Sequence, residues 1–443
     1  MSQLVKISSL LADGHASLSA GPFGSAVSAK HFVAEGMPMI RGSNLSTNVG
    51  LPLLDDGYVF LPPDITDRFH KSQAKRGDLI FTCWGTIEQV GWVPDWSAYE
   101  TYLVSNKQMR LRLDPEVCNS RYLYYFFSSE LGQAEILERR IGSSVPGFNL
   151  GGLKSIEFRL PSVSDQQSIV AILGALDDKI ELNRRMSATL EEMAQALYRS
   201  WFVDFDPVHA RALGQSPAHM DDATAALFPD SFGPDSLPKG WELRTFSDQI
   251  KIVSGGTPKT STSEYWGGSI PWYSVVDAPE KGAVFVLDTE KKITTAGFEG
   301  CAAKMVGKGT TIISARGTVG KLAMAADDMV FNQSCYGLKG SRSHMSEFVY
   351  FSAVRAVDLL QSMAHGSVFS TITRKTFDGL EVIYAPDAVL KAFASQTGLL
   401  LDRILSAQHE SQALAALRDT LLPRLMSGEL RVREAEKQVE EVL

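Results

Sequence analysis

The sequence holds only four cysteines in 443 residues, Cys83, Cys118, Cys301 and Cys335, and no two of them form a C-x-x-C pair. That spacing excludes a zinc ribbon and a disulfide framework, and it predicts reduced thiols used for packing. No apolar run approaches the roughly 18 residues of a membrane span, and no charged start leads into an uninterrupted apolar stretch. A cytoplasmic protein with no membrane contact is expected. The eight histidines make no H-E-x-x-H or other paired spacing, so no metal site can be named. A phosphate-cradling loop is missing too: "GTVGK" (Gly317 to Lys321) is followed by Leu322, and Ala315 stands where the first glycine belongs. An Asp/Asn-Pro-Pro-aromatic motif is absent, "LPPD" (Leu61 to Asp64) lacking the aromatic, and base methylation by this chain is not expected. Asp277, Glu290 and Lys292 do have the spacing of a nuclease set, in which acids hold Mg²⁺ and a lysine supports the attacking water. A turn rich in Lys and Glu produces such triples without function.

An excess of positive charge is also missing. The formal net charge is -8, whereas phosphate neutralisation calls for Lys and Arg. The deficit is local: residues 161–240 carry 6 basic and 12 acidic side chains, while residues 1–160 carry 15 and 16, and residues 241–386 carry 15 and 14. Either large block can therefore still present a basic face.

What the sequence does contain is a repeat. "MPMIRGSNL" (Met37 to Leu45) matches "IPWYSVVDA" (Ile270 to Ala278), and "GDLIFTCWGTI" (Gly77 to Ile87) matches "GTTIISARGTV" (Gly309 to Val319). "IGSSVPGFNLGGLKSIEFRLP" (Ile141 to Pro161) then matches "HGSVFSTITRKTFDGLEVIYAP" (His365 to Pro386), and "LYRSWF" (Leu197 to Phe202) lines up with "LPRLMS" (Leu422 to Ser427). Four matches in one order at nearly one offset indicate a duplication. Each copy starts with short β-branched and aromatic runs between Gly, Pro, Ser and Thr turns and ends in a helix, an α+β pattern. "RYLYYFFSSELGQAEILERR" reads as one helix inside the first copy.

The terminal helices follow a different rhythm. Leu173, Leu176, Ile180, Asn183, Ser187, Leu190, Ala194, Leu197 and Trp201 fall at alternating three- and four-residue steps, as do Leu400, Ile404, Ala407, Ser411, Leu414, Arg418, Leu421 and Leu425. Their small and polar members suit close pairing of the two helices. A dimerisation bundle is the simpler alternative. Ser164 with Gln167 offers a capping box for the first helix, and Phe205, Asp206 and Pro207 end it. The packing set expected of this spacer is Leu173, Leu176, Ile180, Leu190, Leu197, Leu400, Ile404, Leu414 and Leu421.

"LPSVSDQQSIVAILGALDDKIELNRRMSATLEEMAQALYRSWFVDFDPV" followed by "ALFPDSFGPDSLPKGWEL" (Ala226 to Leu243) resembles the central conserved region of the DNA-specificity subunit of type I restriction-modification enzymes. "LLPRLMSGELRV" (Leu421 to Val432) resembles that family's distal conserved region. The resemblance covers the whole chain and implies recognition domains at 1–160 and 237–386, with conserved helical regions at 161–236 and 387–443. It implies a non-catalytic subunit: two similar α+β globules, related by a pseudo-two-fold axis, each read half of a bipartite site in double-stranded DNA. Two long antiparallel helices set the gap. Two adenine-N6 methyltransferase subunits and ATP-driven restriction subunits would assemble on it, bringing S-adenosylmethionine, ATP and Mg²⁺, with no cofactor on this chain. The rivals are a stand-alone Mg²⁺-dependent nuclease and a structural coiled-coil adaptor.

Base readers are sought on the repeated turns, because Arg can take guanine O6 and N7 together, and Asn or Gln can take adenine N6 and N7. In the first copy these are Arg41, Ser43, Asn44, Trp84, Thr86, Asn106, Gln108, Ser143 and Ser144. In the second they are Trp272, Tyr273, Ser274, Arg316, Thr318, Asn332, Gln333 and Ser367, with Lys259 and Lys321 better suited to phosphate. Trp84 and Trp272 fit a core better than a DNA contact.

Overall fold

The computed structural model describes residues 3–11, 16–23, 26–280, 282–365 and 371–440. The chain divides into two compact units, the first made of Met1–Ile180 with Gln412–Leu443 and the second of Glu181–Ser411.

In the first unit the strand Leu79–Thr82 is buried along its whole length. Successive side chains of a strand point to opposite faces, and here each face meets a different core: Leu79 and Phe81 join one apolar cluster, Ile80 another. This explains why "DLIF" is uniformly apolar rather than alternating. Its sheet runs Ser17–Ala20, Gln108–Arg112, Leu79–Thr82, Val90–Trp92, all neighbours antiparallel. A second sheet runs Val59–Leu61, Met37–Ile40, Thr101–Val104, Gln73–Lys75, with the two central strands parallel.

The second unit repeats this plan. One sheet runs Ile250–Ser254, Cys335–Gly340, Thr311–Ser314, Leu322–Ala325, Phe285–Val286, and the other Lys292–Ile293, Trp266–Tyr273, Val330–Phe331. The parallel pair recurs as Trp272 beside Val330 and Tyr273 beside Phe331. Ile312 and Ile313 again feed separate clusters. Each unit also has a two-stranded antiparallel ribbon, Gln3–Lys6 with Glu157–Leu160 and Glu242–Thr245 with Glu381–Tyr384.

Three local expectations are corrected. The stretch from Ser120 onward is two helices, Ser120–Ser128 and Glu130–Glu138, because Ser129 is extended at φ -80° and ψ 163°. Its hydroxyl and amide are drawn instead to the Phe126 and Tyr125 carbonyls. The long helix begins at Val163, and its cap is Ser162, whose Oγ accepts from Asp165 N at 3.2 Å and donates to Asp165 Oδ2 at 2.7 Å, rather than Ser164 with Gln167. Beyond Phe202, Phe205 takes a left-handed φ of 53°, and Asp206 and Pro207 open a further short helix, Asp206–Ala212.

The two long helices, Val163–Phe202 and Asp387–Ser427, pack against one another within each unit. In the first, Leu173 and Leu176 share a core with Leu414 and Leu421, and Ile180 packs on its edge. In the second, Leu190, Leu197 and Leu400 are half-buried against a core holding Ala194, Trp201 and Ile404. There Asn183 bonds to Glu410 and Ser411, while Trp201 meets Phe393 with ring centres 5.8 Å apart. The rising number on one helix against the falling number on the other makes the pair antiparallel.

Candidate nucleic-acid interface

In the first unit four turns are tied to one another by main-chain hydrogen bonds. The turn Arg41–Leu45 closes through Asn44 N to Arg41 O at 2.9 Å and Leu45 N to Gly42 O at 3.2 Å. Ser105 N donates to Ile40 O at 3.0 Å, Cys83 N to Lys107 O at 2.6 Å, and Phe148 N to Cys83 O at 2.8 Å. These bonds gather Arg41–Leu45, Cys83–Gln89, Ser105–Gln108 and Ile141–Phe148 at one end of the unit.

The second unit builds the same frame. Asp277 N donates to Ser274 O at 3.0 Å and Ala278 N to Val275 O at 3.3 Å. Asn332 N donates to Tyr273 O at 2.9 Å, Ala315 N to Ser334 O at 2.7 Å, and Ile372 N to Ala315 O at 2.9 Å. A close glycine contact recurs as well: a Cβ on Gly21 would fall 2.0 Å from Ser105 O, and one on Gly255 would fall 2.1 Å from Asn332 O. Only glycine fits such an approach, a requirement that the sequence comparison passed over.

The side chains expected to read bases divide into three groups by exposure. Ser43, Trp84, Thr86, Asn106, Ser143 and Ser144 are exposed on the first frame, and Lys259, Arg316, Thr318, Lys321 and Gln333 on the second. Trp84 is 46% exposed and rests beside Gly147, so the "CWGT" turn and the "GSSVPG" loop form one surface. Arg41, Ser274 and Asn332 are half-buried. Arg41 Nη2 donates to Gly57 O at 3.2 Å, Ser274 Oγ donates to Asp277 Oδ2 at 3.1 Å, and Asn332 Oδ1 accepts from Ser334 N at 3.0 Å.

The remaining four lie inside. Asn44 is 1% exposed, its Oδ1 accepting from Arg41 N at 3.0 Å and its Nδ2 donating to Leu54 O and Asp56 O at 3.2 and 2.8 Å. Gln108 is buried and bonded to Ser105 Oγ. Trp272 donates its Nε1 hydrogen to Gly256 O at 2.9 Å, and Tyr273 is fully enclosed. These groups hold the turns in shape. Ser367 lies outside the described residues.

Two residues join the surface that sequence reasoning missed. Lys107 is an exposed cation at the tip of the Ser105–Gln108 turn. Gln89 is half-buried and donates to Gly42 O at 3.1 Å and Leu45 O at 2.9 Å, linking two turns. A glutamine between Glu88 and Val90 carries no mark of that role in the sequence. Beneath Trp84, burial pushes the Cys83 thiol up to about 12, so it stays protonated and unreactive.

The nuclease-like triple is structural. Asp277 Oδ2 accepts from Ser274 N at 2.8 Å and Oδ1 accepts from Glu290 N at 2.7 Å, while Lys292 pairs with Asp288 at 3.0 Å. Among the described residues no cluster of His, Cys, Asp and Glu could hold a metal, and no helix is long and apolar enough to cross a membrane.

Comparison with known proteins agrees with this duplicated architecture. The family described as type I restriction modification DNA specificity domain matches residues 27–192 and again 238–388. The specificity subunit of the HindI type I restriction enzyme of Haemophilus influenzae is 28% identical, the match covering 75% of this chain and 82% of that one. The MjaIX specificity subunit of Methanocaldococcus jannaschii is 25% identical, over 75% and 74%. The crystal structure of an S subunit from M. genitalium shares the fold, with a TM-score of 0.51, 17% identity and 96% of each chain covered. Matched twice over most of its length, the chain belongs to the type I restriction modification DNA specificity family.

Proposed function

We propose that each unit reads one half of a split target in double-stranded DNA through the exposed side chains of its turn frame, within recognition domains at 1–160 and 237–386. The observation that carries this reading is the recurrence of one main-chain frame under two different sets of exposed polar side chains, Ser43, Thr86, Asn106 and Lys107 in one and Arg316, Thr318, Lys321 and Gln333 in the other. Identical frames with unlike contents are what two readers of different words require. Buried Asn44, Gln108, Trp272 and Tyr273 position the turns, and the exposed members meet base edges and phosphates.

The helix pair, with packing residues Leu173, Leu176, Ile180, Leu190, Leu197, Leu400, Ile404, Leu414 and Leu421, serves as the ruler. Half-sites one helical turn apart sit about 34 Å between centres, and a stiff element can hold two readers at a set separation and rotation. The relatives' description as subunits of type I restriction enzymes supports an assembly in which methylation and cleavage reside elsewhere. On this reading two adenine-N6 methyltransferase subunits bring S-adenosylmethionine, restriction subunits bring ATP and Mg²⁺, and the complex works in the cytoplasm. Mapping N6-methyladenine in cells that express the chain with its neighbouring subunits tests the proposal. A split motif with a fixed gap is expected; methylation of a continuous motif would overturn it.

A further inference from the structure

At the end of each sheet away from the reading turns, the two units differ. In the first, Asp78 Oδ1 accepts from Arg112 Nε at 2.8 Å, and Oδ2 accepts from Arg112 Nη2 at 2.6 Å and Lys75 N at 2.8 Å. Next to it Asn119 caps the helix Ser120–Ser128, its Oδ1 accepting from Arg121 N and Tyr122 N at 2.9 and 3.2 Å. Both the cation and the helix terminus are satisfied from within the chain.

The second unit keeps the backbone and changes those side chains. Asp78 N to Lys75 O at 3.0 Å becomes Thr310 N to Gly307 O at 3.2 Å, and Gly77 N to Val93 O at 2.8 Å becomes Gly309 N to Ala325 O at 2.9 Å. Strand register equates Arg112 with Lys339, since Leu79 faces Leu111 as Thr311 faces Leu338. Thr310 thus stands in place of Asp78, and its hydroxyl donates to Gly307 O at 2.7 Å. Met345 replaces Asn119 and offers no side-chain oxygen to the helix Ser346–His365; its carbonyl accepts from Val349 N at 2.8 Å, and the N–H groups before Val349 lack main-chain partners within the helix. Lys339 has lost its carboxylate, and its direct cross-strand neighbour is Lys251, so two ammonium groups share one face.

Between these groups lies a cavity of about 290 Å³ lined by Lys308, Thr310, Lys339, Arg342, His344 and Ser346, among others. The nearby acids do not fill it. Nη1 of Arg342 donates to Asp387 at 2.6 Å and to Ala385 O at 3.0 Å, and the guanidinium lies 4.0 Å from the centre of the Tyr384 ring, with Nε and Nη2 buried and without a hydrogen-bond partner. Asp402 reaches Lys308 only at 3.6 Å, with both ends largely exposed. Glu347, in the helix's first turn, is held above the usual carboxyl range by burial although it accepts from its own main-chain N–H, which leaves the neighbouring amides of that turn to a ligand.

We propose that this cavity binds a phosphate-type oxyanion, which takes the place of the Asp78 carboxylate, held by Lys339, Arg342 and the N-terminal amides of the Ser346–His365 helix. The cavity and the reading turn are at opposite ends of the strand Thr311–Ser314, about 13 Å apart at 3.3 Å per residue. The oxyanion is either a free phosphate group or a phosphodiester of DNA that runs past the reading turns.

The test is titration of the full chain with inorganic phosphate at constant ionic strength, followed by calorimetry and ³¹P line broadening. Saturable binding with a dissociation constant of about 1 mM or tighter is expected. Thr310→Asp, which rebuilds the internal carboxylate, and Lys339→Met should each weaken it at least tenfold. Should Lys339→Met fail to fold, Thr310→Asp decides alone, since Asp78 shows that the frame accepts a carboxylate. Absence of saturation, or unchanged binding by Thr310→Asp, overturns the proposal. Cognate duplex added to the phosphate-loaded chain separates the sources: displacement assigns the site to a DNA phosphodiester, and retention assigns it to free phosphate. Duplex affinity is measured separately, so loss of the DNA-reading proposal leaves this one standing.

Discussion

Arg316 and Asn44 illustrate two fates of polar residues on the turns of the frame. Arg316 is exposed while its backbone is bridged to Thr371, so the side chain is free of structural duty. Arg316→Ala is expected to leave the melting temperature unchanged and to weaken binding to one half-site by about 5- to 150-fold, the range of 1–3 kcal/mol for a bidentate guanine contact. Fluorescence anisotropy at matched salt measures it, and equal affinity would remove Arg316 from the readers. Asn44 makes three hydrogen bonds from a buried position. Asn44→Ala leaves buried amide and carbonyl groups unpaired and should lower stability by about 1–3 kcal/mol in urea unfolding. Both positions lie on Gly-containing turns of the repeated frame, and burial is what divides them. Composition and spacing locate a turn but do not say which of its side chains folds back onto its own carbonyls; Gln108 and Trp272 were indistinguishable from exposed Asn106 and Trp84 for the same reason.

At the scale of the element, the long helices were legible because a heptad-like stripe repeats over many turns, whereas their caps and breaks depend on single bonds. Ser162 and Ser164 are equally good N-caps by type, and only the bond to Asp165 chooses between them. The polar members of the stripe turn out to be pins. In the first unit Arg418, 3% exposed, pairs with Asp177 at 2.8 Å, and Asp177 also accepts from Tyr125 Oη at 2.6 Å. Arg418→Met strands a buried carboxylate and is expected to cost about 3–5 kcal/mol, while adding Asp177→Leu should recover most of that loss. Chemical denaturation of the single and double variants checks it; equal stability of the two would show that the pair does not act as a unit. In the second unit burial raises the Glu191 carboxyl above its ordinary range, despite a bond from Tyr350 Oη at 3.0 Å. The folded state therefore binds this proton more tightly than the unfolded chain does, and stability falls as pH rises from the unfolded carboxyl value to the folded one. Glu191→Gln, which can still accept from Tyr350, should flatten that fall in melting curves taken across the acid range. A steeper fall would reverse the assignment.

For the molecule as a whole, the duplication was readable from sequence because the frame needs Gly, Ser and small turn residues at fixed places, and those needs repeat with the backbone. The contents of the frames were not, since nothing forces one reader to resemble the other. The ruler reading has its own test. Four residues inserted near Met186 would lengthen the helix by about 6 Å and rotate the segment beyond the insertion, and the preferred gap between half-sites should change. Selection of bound duplexes from a library of gap lengths measures it, and an unchanged gap would assign the spacing to something other than the helices.

The joints of the frame run mostly from amide to carbonyl, as in Cys83 with Lys107 and Ala315 with Ser334. Bonds of that kind are indifferent to what is attached at Cα. On the proposed reading, point changes at the rim would therefore rewrite a target word while the scaffold keeps its form, and a lineage would diversify its vocabulary one letter at a time.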